Sequence, residues 1–126
     1  MKNIDQRNQI IEYSLKLNST NLSPLRSGNI SLRAKEDDKD GYLITPSGKK
    51  YETLKPENIV FISLSEESEK NDLANKPSSE WRFHRDIYLN KIKSQAIVHA
   101  HSPHATAVSS HGKTIPPFHY MIALAG

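Results

Sequence analysis

Apolar positions at helical spacing open the chain: Ile4, Ile11 and Leu15 line one stripe, with Ile10 and Leu17 at its edge. They predict a first helix that packs by one face. Asn18-Ser19-Thr20-Asn21 supplies the turn formers that end it. The period then changes to two. Asn29-Ile-Ser-Leu-Arg33 and Gly41-Tyr-Leu-Ile-Thr45 read as half-buried strands joined through the charged loop Lys35 to Gly41, an antiparallel hairpin. Turns at Thr45 to Gly48 and Leu54 to Glu57 lead into Asn58 to Leu64, β-branched enough for a central strand.

Ser65 to Lys76 is polar with little to bury and reads as a mobile surface loop. A second helix runs through Trp81, His84, Ile87 and Tyr88, with Ser78 and Ser79 as capping hydroxyls and Glu80 in its first turn. Ala96 to His101 is a fourth strand, followed at once by a short helix with Ser102 as cap, Pro103 at its first position and a stop near Gly112. Ile115-Pro-Pro-Phe118 is extended, and His119 to Gly126 is apolar. The pattern predicts an α/β domain over residues 1–126, a mainly antiparallel sheet of at least four strands flanked by helices.

At 126 residues the chain is long enough to bury a core without staples, and it has no cysteine. Disulfides and thiolate metal sites are thereby excluded, leaving imidazole, carboxylate and water as metal ligands. The net charge of +3 is dispersed, with no basic stripe, which argues against a nucleic-acid partner. No segment approaches the roughly 20 apolar residues of a membrane span, and Met1 to Arg7 lacks a signal-peptide core, so a soluble cytoplasmic protein is the expectation.

Candidate chemistry starts at Ala96-Ile-Val-His-Ala-His-Ser-Pro-His104. Alternation puts Ile97, His99 and His101 on one side of a strand, a spacing that suits two imidazoles on one divalent ion. The same spacing also fits a half-exposed strand edge that binds nothing. Its place at the end of a strand and the start of a helix favours a ligand site. Four further histidines carry structural readings as well: His84 and His104 on helices, His111 at a helix end and His119 beside Tyr120. Glu80 has a plain reading too, an acid favoured near a helix start. Likewise Gly28 and Gly48 fit ordinary turns, and Ser78 and Ser79 fit ordinary caps. In combination, small residues and hydroxyls beside a helix start suit a phosphate.

Pro77-Ser-Ser-Glu-Trp-Arg-Phe-His84, His99-Ala-His101 and Ile115-Pro-Pro-Phe-His-Tyr-Met-Ile-Ala-Leu-Ala-Gly126 together resemble the class II aldolase/adducin family. Ser27-Gly-Asn-Ile-Ser31 and Thr45-Pro-Ser-Gly48 match its early glycine loops, in the same order. The resemblance implies that family's three-layer fold and a zinc-dependent, reversible cleavage of a phosphorylated ketose to dihydroxyacetone phosphate and an aldehyde. It implies zinc on His99 and His101, with Glu80 beside it as ligand and acid/base group. It implies a phosphate pocket of Gly28, Asn29, Ser47, Gly48, Ser78 and Ser79, and Tyr120 assisting proton transfer at the aldehyde end. Such an assignment makes chemical sense. Cleaving a carbon–carbon bond next to a carbonyl leaves an enediolate, whose charge a divalent ion stabilises, and a nearby carboxylate can move the remaining proton.

By the same resemblance the enzyme is a homotetramer with one zinc per subunit, and a third zinc histidine lies in a later His-His-Gly segment beyond Gly126. The expectation is therefore an amino-terminal portion of an aldolase, inactive alone. Sugar-phosphate 4-epimerases of the family carry aspartate where Glu80 stands, and adducin heads lack the zinc histidines, so both are secondary readings.

Overall fold

The computed structural model describes residues 1–65 and 75–125; nine of the residues expected to form the polar loop, 66–74, lie outside that description. Helix α1 (Ile4–Ser19) precedes the hairpin β1 (Asn29–Glu36) and β2 (Lys39–Ile44), then β3 (Val60–Ser63), α2 (Trp81–Asn90), β4 (Ala96–His99), α3 (Pro103–Ser110) and α4 (Ile122–Ala125). The four strands form one antiparallel sheet in the order β3-β2-β1-β4, so β3, expected as a central strand, lies at the edge and pairs only with β2 among the described residues.

The hairpin is tighter than expected. Instead of a loop from Lys35 to Gly41, the strands run on until Glu36 pairs with Lys39. Asp37 (φ 48°) and Asp38 (φ 59°) then turn the chain in the left-handed region. That is the requirement of a two-residue hairpin turn, and aspartate is among the residues that tolerate it.

Side chains alternate across the sheet and make two cores. Ile30, Ala34 and Leu43 join Ile10 and Leu17 of α1, with Tyr51, Leu54 and Ile59 closing the cluster. On the other face Tyr42, Ile44 and Ile62 pack against Trp81 and Tyr88 of α2. The result is three layers, α1 on the sheet and the sheet on α2.

The buried stripe of α1 is rotated from the expected one. Arg7, Ile10, Ser14 and Leu17 face inward, while Ile4 is 43% exposed and Leu15 39% exposed. Two buried polar residues hide this face from a hydropathy reading, and both are satisfied. The Ser14 hydroxyl donates to Ile10 O at 2.7 Å. Arg7 donates to the carbonyls of Lys2, Pro56 and Ile59 (2.9, 3.1 and 2.5 Å) and to Glu36 Oε1 at 2.7 Å.

Beyond α3 the large side chains of Phe118, Tyr120 and Leu124 are largely exposed despite the apolar character of that segment. Ile10→Ala is expected to cost about 2–5 kcal/mol of stability, as a fully buried large-to-small change does. Ile4→Ala should cost under about 1 kcal/mol, since surface changes are usually small. Urea unfolding of both variants measures the difference.

Candidate functional site

β1 and β4 bring the first two pieces together. Asn29, at the start of β1, is the cross-strand partner of His99, at the end of β4. Both point to the α2 face, like Ser31 and its partner Ile97. β4 stops at His99, so His101 lies just past the strand rather than on it, and its backbone N–H bonds Ser23 Oγ at 3.3 Å. The rings still converge: the centroids are 4.8 Å apart, the planes are at 88°, and the two Nε2 atoms lie 2.8 Å apart. Phe83 supports the His99 ring edge-on at 5.3 Å.

α2 contributes the third piece. Helical geometry begins at Trp81, so Glu80 is the residue capping α2 and not part of its first turn. The Glu80 side chain makes no capping bond, and instead Ser78 Oγ accepts from the Glu80 N–H at 3.4 Å. The freed carboxylate reaches across, with Oε2 3.4 Å from His99 Nε2 and accepting from the Asn29 amide. One ligand atom each from Glu80, His99 and His101 lies within 4.8 Å of the others. Two imidazole nitrogens and one carboxylate oxygen form the donor set of a divalent transition-metal centre, so these residues fit such an ion.

A cleft of about 390 Å³ opens beside this cluster. Gly28, Asn29, Ser47, Gly48, Ser78 and Ser79 all line it, together with Glu80 and His101. The two serine-bearing loops are laced together: Ser47 N–H bonds Lys76 O at 2.8 Å and Ser78 N–H bonds Thr45 O at 3.0 Å. Ser27, Thr45 and Lys49 line the cleft too and were not singled out from the sequence. Lys49 is half-buried, with its ammonium 2.9 Å from Asn75 Oδ1; the signal available was its place directly after Thr45-Pro-Ser-Gly48. Tyr120 is not brought to the cleft. It is 76% exposed and lines a separate hollow with Phe118 and Ile122.

Gly28 has a role beyond a turn. A Cβ there would meet Ser23 Oγ at 2.6 Å and His99 O at 2.7 Å, so the backbone of the β4 end rests directly on it. Gly48 has open space but a φ of +73°, which disfavours any side chain.

Beneath the cluster His84 is fully buried, with Nδ1 2.7 Å from Ser31 Oγ and Nε2 2.5 Å from Asn29 Oδ1. Burial, and secondarily the charge of His99, push its pKa down to about 4, so the ring is neutral.

A family model described as Class II Aldolase and Adducin N-terminal domain matches residues 8–126. The chain belongs to this family. It is 39% identical over 126 residues to an L-fuculose phosphate aldolase of Haemophilus influenzae, covering 100% of this chain and 55% of that one. It is 42% identical over 120 residues to a 5-methylthioribulose-1-phosphate/5-deoxyribulose-1-phosphate aldolase of Rhodospirillum rubrum, covering 95% and 51%. A solved L-fuculose 1-phosphate aldolase superposes with a TM-score of 0.81 at 32% identity, over 98% of this chain and 56% of that one. The chain thus spans about half the length of the relatives it matches. The sheet and its flanking helices are the class II aldolase fold, and the relatives are aldolases, which are lyases. Among the described residues no helix is long and apolar enough to cross a membrane.

Gly28→Ala is expected to cost about 1–3 kcal/mol, as overpacking does. It should also move the His99 and His101 ring resonances in an NMR spectrum, whereas Gly48→Ala costs about 1–2 kcal/mol of backbone strain and leaves them in place. The buried His84 also sets a pH dependence. The unfolded chain takes up a proton near 6.5 and the folded one only near 4, so stability falls as pH drops from about 6.5 to about 4. The loss is of order 3 kcal/mol. Urea midpoints across that range should track it, and His84→Gln should flatten the trend.

Proposed function

We propose that this chain supplies the metal-binding and phosphate-binding half of a class II aldolase that cleaves a phosphorylated ketose, such as L-fuculose 1-phosphate, to dihydroxyacetone phosphate and an aldehyde. The convergence of Glu80, His99 and His101 at one side of a cleft lined by glycines and hydroxyls carries this reading. His99, His101 and Glu80 would hold the ion, zinc or a similar divalent metal on the chemistry of the donor set. When bound, the ion supplies charge stabilisation to a substrate carbonyl oxygen.

The protein's own groups do the rest. Ser47, Ser78 and Ser79 offer hydroxyls to phosphate oxygens, Gly28 and Gly48 let backbone approach them closely, and Asn29 adds an amide. A phosphate seated there places the adjoining carbons of the ketose beside Glu80. The Glu80 carboxylate, unspent on capping, is within reach to take a proton from a substrate hydroxyl and to return one to the carbon left after cleavage. Tyr120 lies outside the cleft and would assist proton transfer at the aldehyde end from a neighbouring subunit of a homotetramer.

The relatives are nearly twice as long, and in this reading the remaining zinc ligand lies in the part of the protein beyond Gly126. Turnover therefore belongs to the full-length protein, and the 126-residue chain alone is expected to be inactive. The test is a coupled assay for dihydroxyacetone phosphate on the full-length protein and on residues 1–126. In the full-length protein Glu80→Gln is expected to lower kcat at least about 100-fold. Cleavage by the isolated chain, or full activity of Glu80→Gln, would contradict the assignment.

A further inference from the structure

Burying an imidazole is costly unless both nitrogens find partners, and an apolar side chain would fill the same volume more cheaply. His84, fully buried beneath Asn29, has both partners, and the polarity of its bonds is fixed from end to end. Asn29 Oδ1 can only accept, so His84 Nε2 carries the proton. His84 Nδ1 then accepts from the Ser31 hydroxyl, whose oxygen lies 2.9 Å from the Tyr88 hydroxyl and accepts from it. The chain of donors runs Tyr88, Ser31, His84, Asn29, and it leaves the core at the Glu80 carboxylate, where Asn29 Nδ2 donates to Oε2.

We propose that His84 is a positioning residue for the metal centre: by donating from Nε2 to Asn29 Oδ1 it fixes the plane of that amide, which holds the Glu80 carboxylate toward His99. An Asn29 amide turned over by 180° would set its oxygen against a carboxylate and its NH2 against the His84 N–H, so the tautomer of His84 decides which way the amide faces. Four side chains from β1 and α2 thereby orient one ligand. The role deepens the metal-binding reading above and rests on it for its consequence, while the hydrogen-bond chain itself exists without the ion.

Nitrogen-15 NMR of the metal-free 126-residue chain at neutral pH tests the link. His84 is expected as the Nε2–H tautomer, with slowly exchanging Asn29 side-chain amide protons. Those amide signals should shift in Glu80→Gln, lose protection in His84→Leu and recover in His84→Gln, whose amide can donate in the same direction. Should His84→Leu fail to fold, Ser31→Ala keeps the imidazole and is expected to mix the tautomers and weaken the same signals. Cobalt(II) titration followed by visible absorption is the second arm. His84→Leu should weaken binding about 10-fold or more, and His84→Gln should restore it.

An Nδ1–H tautomer, an Asn29 amide indifferent to Glu80→Gln, or wild-type cobalt affinity in His84→Leu overturns the proposal. A wild-type chain that shows the NMR signature but takes up no cobalt overturns the metal reading and leaves the positioning link standing. Cobalt uptake without the signature does the reverse.

Discussion

The pairing of β1 with β4 is the constraint on which the site depends. Four cross-strand pairs, from Leu32 with Ala96 to Asn29 with His99, decide which face of the sheet each side chain meets. A slip of one residue would turn His99 away from Glu80 and toward the α1 layer. Arg33 holds the register from outside the ladder. Its backbone N–H bonds Gln95 O at 2.8 Å, and its guanidinium bonds Ser94 O and Tyr88 O, each at 2.9 Å, clamping the connection from α2 into β4.

The two faces of the sheet divide the labour. The α1 face is mostly aliphatic, and its burial is stabilising through the hydrophobic effect. The α2 face mixes aromatic residues with a buried polar chain, in which Ser31 and His84 have no exposed surface. Each buried polar group there is bonded, so the cost of desolvation is met locally and the hydrogen bonds restrict the side chains to one arrangement. Rigid support of this kind lets the exposed end of the network, at Glu80, His99 and His101, keep its geometry beside an open cleft.

Much of this was legible in the residues. The change of period from helical to alternating located α1 and the hairpin, Ser102-Pro103 located the start of α3, and the His99 and His101 spacing pointed to two rings that do converge. All six residues assigned to the phosphate pocket line one cleft. The rest was hidden for physical reasons. Arg7 and Ser14 are polar yet buried, so hydropathy misplaced the inner face of α1. Asp37 and Asp38 look like loop residues because their tolerance of positive φ is a backbone property. His84 carried no marker in its neighbours, because its partners Asn29 and Ser31 come from a strand more than fifty residues earlier. Family resemblance reached Tyr120 by matching a motif, but the described chain leaves that side chain outside the cleft.

Glu80, His99 and His101 are proposed to act together on one divalent ion. Calorimetric titration of the 126-residue chain with zinc at neutral pH, beside His99→Ala, tests it most directly. Saturable binding near one ion per chain, lost in His99→Ala, is the expected result. Absence of binding to the wild-type chain, or binding unchanged by His99→Ala, would contradict it.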